Sequence, residues 1–381
     1  MANPKRNKKA VSPALASYGC QNIDGSDESA VLLALRSDRL TQGPRVEEFE
    51  KKLASYCGAR HAVAVNSGTA ALHIAYLAAG IGRGDEVITT PNTFVATSNM
   101  ALAVGAKPVF CDIRLDTFNI NEKSLEALIT KKTKAIVPVD FAGRPCDMDA
   151  IMKTASRHGL TVIEDACHSL GASYGGRKVG SLAHMTAFSF HPVKHITTGE
   201  GGAVLTDDDG LYEKLKRFRS HGIVKDKDGF NSMIDLGFNY RLPDLNAALG
   251  TSQLGRLDLF VKKRRMLVEV YLKHLKGLEE IILPAGPVPS SSWHLFVIRL
   301  VDPGQRATLA AHLKTAGIAS MIHYPAVYSH PYYRQHGYEG LFLPNEEAYQ
   351  SSCLTLPLHP QMTASDASYA SSVIREFFEN D

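Results

Sequence analysis

Between about Val63 and Thr206 the chain repeats one unit: a short apolar run, a turn, then a helical stretch. The apolar runs cover 62–65, 86–89, 107–112, 135–139, 161–164, 186–189 and 203–206. Most are continuous rather than alternating, which is how strands covered on both faces read. Helical patterns fall between them at 70–79, 96–103, 122–129 and 148–158. That alternation predicts an α/β domain around a mostly parallel sheet.

Beyond Leu254 the pattern changes. Positions 256–275 predict one long amphipathic helix, ended by the Pro-rich stretch 284–289. A strand at 295–301 and a helix at 306–316 follow, giving a smaller α+β C-terminal domain. The expected division is a large domain over 1–255, its first 20 residues a flexible arm, and a small domain over 256–381. The length, 381 residues, suits two such cores better than one.

Composition narrows the function classes. A net charge of +3 gives no electrostatic case for nucleic acid or an anionic membrane as partner. The basic cluster Lys5, Arg6, Lys8 and Lys9 reads as a solvated terminus. No apolar run reaches membrane-spanning length, and no signal-peptide core follows the basic start, so a cytoplasmic location is expected. The six cysteines are scattered without a C-x-x-C pair, so neither a metal site nor a disulfide framework is expected. Cys111 and Cys167 read as small core residues.

Three segments carry chemistry. Ser189-Phe190-His191-Pro192-Val193-Lys194-His195-Ile196-Thr197-Thr198-Gly199-Glu200-Gly201-Gly202 follows a strand and presents one lysine in a loop of small residues. A buried lysine loses basicity and can form a Schiff base with an aldehyde. Asn66-Ser67-Gly68-Thr69-Ala70 follows another strand and opens a helix. Such a terminus binds phosphate, although Ser67 reads equally well as an ordinary N-cap. Glu164-Asp165-Ala166-Cys167-His168 puts a carboxylate at the end of a buried strand, where it needs a cationic partner. A protonated pyridine nitrogen is one such partner, and a structural salt bridge is another. Gly80-Ile81-Gly82-Arg83-Gly84 follows a helix and precedes a strand, the wrong order for a dinucleotide fingerprint. A helix-ending turn is expected there.

Together these segments resemble the DegT/DnrJ/StrS family of sugar aminotransferases. The resemblance runs from Leu40-Thr41-Gln42-Gly43-Pro44 to Thr355-Leu356-Pro357-Leu358-His359. Between them it includes Pro91-Asn92-Thr93-Phe94-Val95-Ala96-Thr97 and Gly237-Phe238-Asn239-Tyr240-Arg241-Leu242-Pro243-Asp244. It implies the fold type I of enzymes dependent on pyridoxal 5′-phosphate (PLP), with a pyridoxamine 5′-phosphate form in the second half of the reaction. By that resemblance Lys194 carries the cofactor and Asp165 pairs with its ring nitrogen. Phe94 stacks on the ring, and His168 lies near the ring hydroxyl. Gly68, Thr69 and Ser189 hold the phosphate. Asn239 reaches the cofactor of a neighbouring subunit, which implies a homodimer with shared sites.

The implied activity is transfer of an amino group from L-glutamate to a 4-keto nucleotide sugar. The run from Ser189 to Lys194 is most similar to members acting on UDP-4-keto-6-deoxy-N-acetyl-L-altrosamine in pseudaminic acid formation. Gln42, His191, Arg241 and His323 are the candidate substrate contacts. His195 reads as a relay or a structural histidine. Three alternatives remain open: a different keto nucleotide sugar, a PLP-dependent sugar dehydratase, and a non-enzymatic sensor. Lys194 counts against the dehydratase, because some relatives of that kind carry histidine in its place.

Overall fold

The structure, a computed structural model, describes residues 12–285 and 289–379. Seven strands build the central sheet: β1 (His61–Val65), β2 (Glu86–Thr89), β3 (Lys107–Phe110), β4 (Thr133–Val137), β5 (Thr161–Asp165), β6 (Met185–Ser189) and β7 (Gly202–Thr206). Their order across the sheet is β1-β7-β6-β5-β4-β2-β3. Only β7 is reversed, antiparallel to β1 on one side and β6 on the other. The remaining neighbours pair in parallel. Six strands therefore point their carboxyl ends to one edge.

Continuous apolar strands need cover on both faces because successive side chains point to opposite sides. In β1, Ala62 and Ala64 enter one core, while Val63 and Val65 enter the other. Helices supply that cover: α1 (Gly25–Leu35), α2 (Pro44–Cys57), α3 (Gly68–Ala78), α4 (Ala96–Ala103), α5 (Met148–His158), α6 (Asp209–Arg219), α7 (Asp244–Leu254) and α8 (Leu257–Leu275). Phe49 and Leu53 of α2, Ile151 of α5 and Phe260 of α8 close one face. Leu72 and Ile74 of α3, Ala101 of α4 and Leu215 of α6 close the other.

Local chemistry sets the helix ends. Asp147 caps α5 by accepting from the Ala150 amide, and Gly159 ends it in the left-handed region at φ 63°. Gly80 does the same after α3 at φ 72°, so the glycine cluster is the expected turn. The helix expected at 122–129 is shorter than its pattern suggested. It is a 3-10 turn, Glu122–Ser124, and one α turn, Leu125–Leu128. Only Leu125 is buried there, so no apolar stripe sustains a longer helix.

Helix α8 leaves the sheet and enters a second core. There β8 (Ile281–Ile282), β9 (Phe296–Leu300) and β10 (Cys353–Leu356) form an antiparallel sheet. Helices α9 (Arg306–Thr315) and α10 (Ala364–Glu379) pack against it. Tyr271 of α8 stacks on Phe296 of β9 with ring centroids 4.7 Å apart.

The N-terminal arm needs correction in part. Residues 1–11 lie outside the described residues, and so does the basic cluster. Residues 12–20 are packed rather than loose: Pro13 starts a short helical turn that buries Leu15 in the small-domain core. The Leu15 carbonyl accepts from Ala319, and the Tyr18 carbonyl accepts from Leu358. Among the described residues no helix is long and apolar enough to cross a membrane.

Phe190 anchors the loop that carries Lys194. It is fully buried and meets Phe49 edge-on at 5.3 Å. Phe190→Ala should cost about 3–5 kcal/mol of unfolding free energy. Urea titration followed by circular dichroism checks this; a loss under about 1 kcal/mol would show that the ring does not anchor the loop.

Candidate active site

The carboxyl ends of the parallel strands open into a cavity of about 930 Å³. Crevices at this edge are where open α/β sheets bind ligands. Its walls come from the loops after β1, β2 and β6 and from the end of β5. The small domain contributes Met321 to Pro325 and His330.

The lysine loop is fixed by its own backbone. Phe190 donates to the Gly201 carbonyl, Thr198 donates to the Phe190 carbonyl, and Lys194 donates to the His191 carbonyl. The Thr197 hydroxyl accepts from the Gly199 amide at 2.9 Å. The loop returns into β7 at Gly202, which pairs with both Val65 and Ser189. A Cβ on Gly202 would lie 2.4 Å from the Ser67 carbonyl oxygen, so no larger residue fits. This close approach draws the lysine loop against the start of α3.

At that start Ser67 is the N-cap, its Oγ accepting from the Ala70 amide at 3.1 Å. Both readings of this segment therefore hold a share: Ser67 caps the helix, and Gly68 and Thr69 line the cavity. A Cβ on Gly68 would meet the Ser189 Cβ at 2.8 Å. Gly68, Thr69 and Ser189 thus form one cradle at the positive end of a helix, which suits a phosphate.

Asp165 ends β5 almost fully buried. Its Oδ2 accepts from the Thr97 hydroxyl at 2.6 Å, and its Oδ1 accepts from the Cys167 amide at 3.2 Å. Two donors hold the carboxylate at the cavity wall without neutralising it. Lys194 lines the same cavity, and burial pushes its pKa below that of an ordinary lysine, a shift that nearby Asp165 opposes. His168 is buried, its Nε2 3.3 Å from the Tyr324 hydroxyl. Burial, reinforced by Lys194, pushes its pKa well down. Phe94 is 58% exposed on the cavity wall, its ring 6.4 Å from that of Tyr324. A conjugated ring with a phosphate and a cationic nitrogen fits this donor set: a phosphate cradle, an oriented carboxylate, an aromatic wall and a lysine.

The chain brings together Gly68, Thr69, Phe94, Asp165, His168, Ser189, His191, Lys194 and His323. It does not bring Gln42, Asn239 or Arg241 to the same cavity. Those three lie on a bridged edge, where Thr41 pairs with Pro243, Val65 with Arg241, and Ser220 with Asn239. Cys167 also departs from expectation: it lines the cavity instead of filling the core, because its amide turns toward Asp165. His195 is structural, its Nε2 3.2 Å from the Ser292 carbonyl oxygen. Sequence reasoning missed Tyr18, Thr97, Tyr324 and His294. Thr97 stood inside a motif already singled out; the others come from distant segments that only folding brings near. Among the described residues no cluster could hold a metal ion.

An α/β fold thus sets a lysine, an oriented carboxylate and a helix-end cradle around one cavity at the strand edge. Comparison with known proteins is narrower. The chain belongs to the DegT/DnrJ/EryC1/StrS aminotransferase family, which it matches over residues 21–375. It is 42% identical over 371 residues to the UDP-4-amino-4,6-dideoxy-N-acetyl-beta-L-altrosamine transaminase of Campylobacter jejuni, covering 96% of this chain and 98% of that one. Among solved structures it resembles PseC of Helicobacter pylori, an aminotransferase of pseudaminic acid biosynthesis. There the TM-score is 0.91 at 35% identity, covering 96% of this chain and 99% of that one. A putative sugar aminotransferase of Streptococcus pneumoniae in its PMP form also gives 0.91, at 29% identity over 96% of this chain and 99% of that chain.

The cavity histidines make stability depend on pH. Burial takes the His323 imidazole from 6.5 down to about 4. Between those values the unfolded chain binds a proton that the folded chain refuses, so stability is lost as pH falls through this window. His323→Gln should reduce the loss between about pH 7 and pH 4.5 by about 2 kcal/mol. Urea midpoints at the two pH values measure it; equal losses in both proteins would mean that His323 titrates normally.

Proposed function

We propose that the chain is a PLP-dependent aminotransferase that moves an amino group from L-glutamate to a 4-keto nucleotide sugar. The substrate proposed, by analogy with the altrosamine transaminases it resembles, is of the UDP-4-keto-6-deoxy-N-acetyl-L-altrosamine type, which would put the enzyme in pseudaminic acid formation. One observation carries this reading: Lys194 and the doubly hydrogen-bonded Asp165 face the same cavity.

When bound, PLP supplies an electron sink that accepts the electron pair released at the donor's α-carbon. The chain supplies the rest. Lys194 is the covalent anchor, and then the general base and acid that moves one proton. Its lowered pKa makes the free amine available at lower pH than in an ordinary lysine. Asp165, which accepts from Thr97 and Cys167, would pair with a protonated ring nitrogen. Gly68, Thr69 and Ser189 would hold the phosphate, and Phe94 and His168 would flank the ring. Met321 to Pro325 of the small domain complete the cavity wall.

The working unit in this reading is a homodimer in the cytoplasm. Asn239 then serves the cofactor phosphate of a second copy, and Gln42 and Arg241 lie near the shared mouth. Two features support this. Asn239 is not part of its own chain's cavity wall. The adjoining hairpin, Ile223–Lys225 with Asn231–Met233, leaves Phe230 and Leu236 each 73% exposed.

The test is incubation with PLP, L-glutamate and a panel of keto nucleotide sugars, with product structure read by NMR. The expected product is the 4-amino sugar, formed with one equivalent of 2-oxoglutarate. Lys194→Ala should show no turnover and no borohydride-fixed cofactor. Normal activity in that variant would remove the lysine from the mechanism. Ammonia release without an amino sugar would replace the reading with dehydration.

A further inference from the structure

Lys194 reaches the cavity from the large domain, yet its Nζ meets a small-domain atom, Nε2 of His294, at 3.5 Å. His294 immediately precedes Leu295 and β9 and is only 3% exposed. Its backbone is held unusually firmly. The buried Arg264 donates through Nη1 to the carbonyls of Trp293 at 3.3 Å, His294 at 3.1 Å and Leu358 at 2.7 Å. Trp293 itself takes a left-handed φ of 53°, a conformation rare for a bulky residue. That turn directs the next side chain into the site. Strain of this kind persists only where surrounding contacts enforce it, and it is concentrated at functional positions.

Three other histidines crowd the same place, and each has a different partner. His195 Nε2 lies against the Ser292 carbonyl, His168 Nε2 against the Tyr324 hydroxyl, and His323 Nδ1 against the Thr355 hydroxyl. Among the described residues His294 is the histidine whose Nε2 faces the lysine, and its Nδ1 has no partner. The charged groups that act on the lysine are Asp165 and Arg264; the nearby Cys167 thiol is kept protonated by burial. Burial and the nearby Lys194 keep His294 unprotonated. A neutral imidazole protonated on Nδ1 presents a lone pair at Nε2.

We propose that His294 is the hydrogen-bond acceptor for the freed lysine. It takes one N–H of Lys194, stabilises the ammonium form when the amine picks up a proton, and leaves the lone pair of the neutral amine directed into the cavity. Burial and Arg264 lower the basicity of Lys194, Asp165 raises it, and His294 in this proposal restores a further part. The same contact ties the two domains together at the reacting nitrogen. The catalytic meaning of this contact rests on the aminotransferase reading; the contact and its effect on lysine basicity do not.

The experiment uses the full-length protein freed of cofactor. Competitive acetylation across a pH series, read on the Lys194 peptide by mass spectrometry, gives the lysine pKa directly. His294→Phe removes the acceptor and should lower that pKa by about one unit, about tenfold in the protonation constant. His294→Gln keeps an acceptor oxygen and should recover part of the shift. His195→Gln should leave the curve in place. Superimposable curves for wild type, His294→Phe and His294→Gln would overturn the proposal. A second measurement covers a variant that does not fold: in Lys194→Met the His294 imidazole, followed by NMR, should become more basic. An unchanged imidazole there would also overturn it. With cofactor added, His294→Phe should slow the glutamate half-reaction about tenfold and displace its pH profile, with little change in KM for the keto sugar. If wild type transfers no amine at all, the functional reading fails while the labelling result still decides the role of His294.

Discussion

A lysine ammonium and an aspartate carboxylate share one interior cavity, and the surrounding structure is arranged to tolerate them. Taking an ion out of water costs several kcal/mol unless it is paired or hydrogen-bonded. Asp165 meets this cost with the Thr97 hydroxyl and the Cys167 amide. Lys194 has no carboxylate in direct contact, so burial reduces its basicity. The fold keeps both because they stand at strand ends, where rigid backbone stops and side chains can converge.

The same economy governs the layer behind the site. Glu164 and Asp140 are fully buried beside Asp165. Three adjacent negative charges in such a place would repel strongly. Burial pushes Asp140 up to about 6 and Glu164 well above its usual range, so Glu164 keeps its proton at neutral pH and the charge of this layer is reduced. Ser169 and Cys146 donate to Asp140, and Thr186 donates to Glu164. Of the three carboxyl groups, Asp165 is the one that lines the cavity. On the opposite wall, neutral histidines surround the lysine without adding competing charge. Arg264 supplies order there instead: buried without a carboxylate, with its pKa brought down to about 10 by burial, it joins backbone carbonyls from two segments of the small domain.

The strands of the large domain were legible because a two-faced strand must be apolar throughout, and the predicted runs fall within two residues of the observed ones. The lysine loop and the carboxylate were legible for a related reason. Each lies within a few residues of a strand end, so its position in the sheet follows from sequence neighbours. Tyr18, His294 and Tyr324 were not legible. Tyr324 only adjoins the candidate His323, nothing local marks the other two, and all three reach the site from the N-terminal turn and the small domain, segments far from it in sequence. The roles proposed for Phe94 and Asn239 rest on the family resemblance; local pattern alone reads a core aromatic and a turn residue.

Sequence by itself determined the period of the strands, the helix caps, the glycines at crowded turns and the place of Lys194 in a loop at a strand end. These depend on interactions within one or two turns of chain, which residue type and spacing specify. Tertiary structure alone decided which strand ends are neighbours, how close Gly202 comes to Ser67, and which histidine faces Lys194. Those are properties of surfaces from distant segments meeting in low dielectric. There a shift of a single ångström changes which hydrogen bond is made, and no linear pattern records that distance.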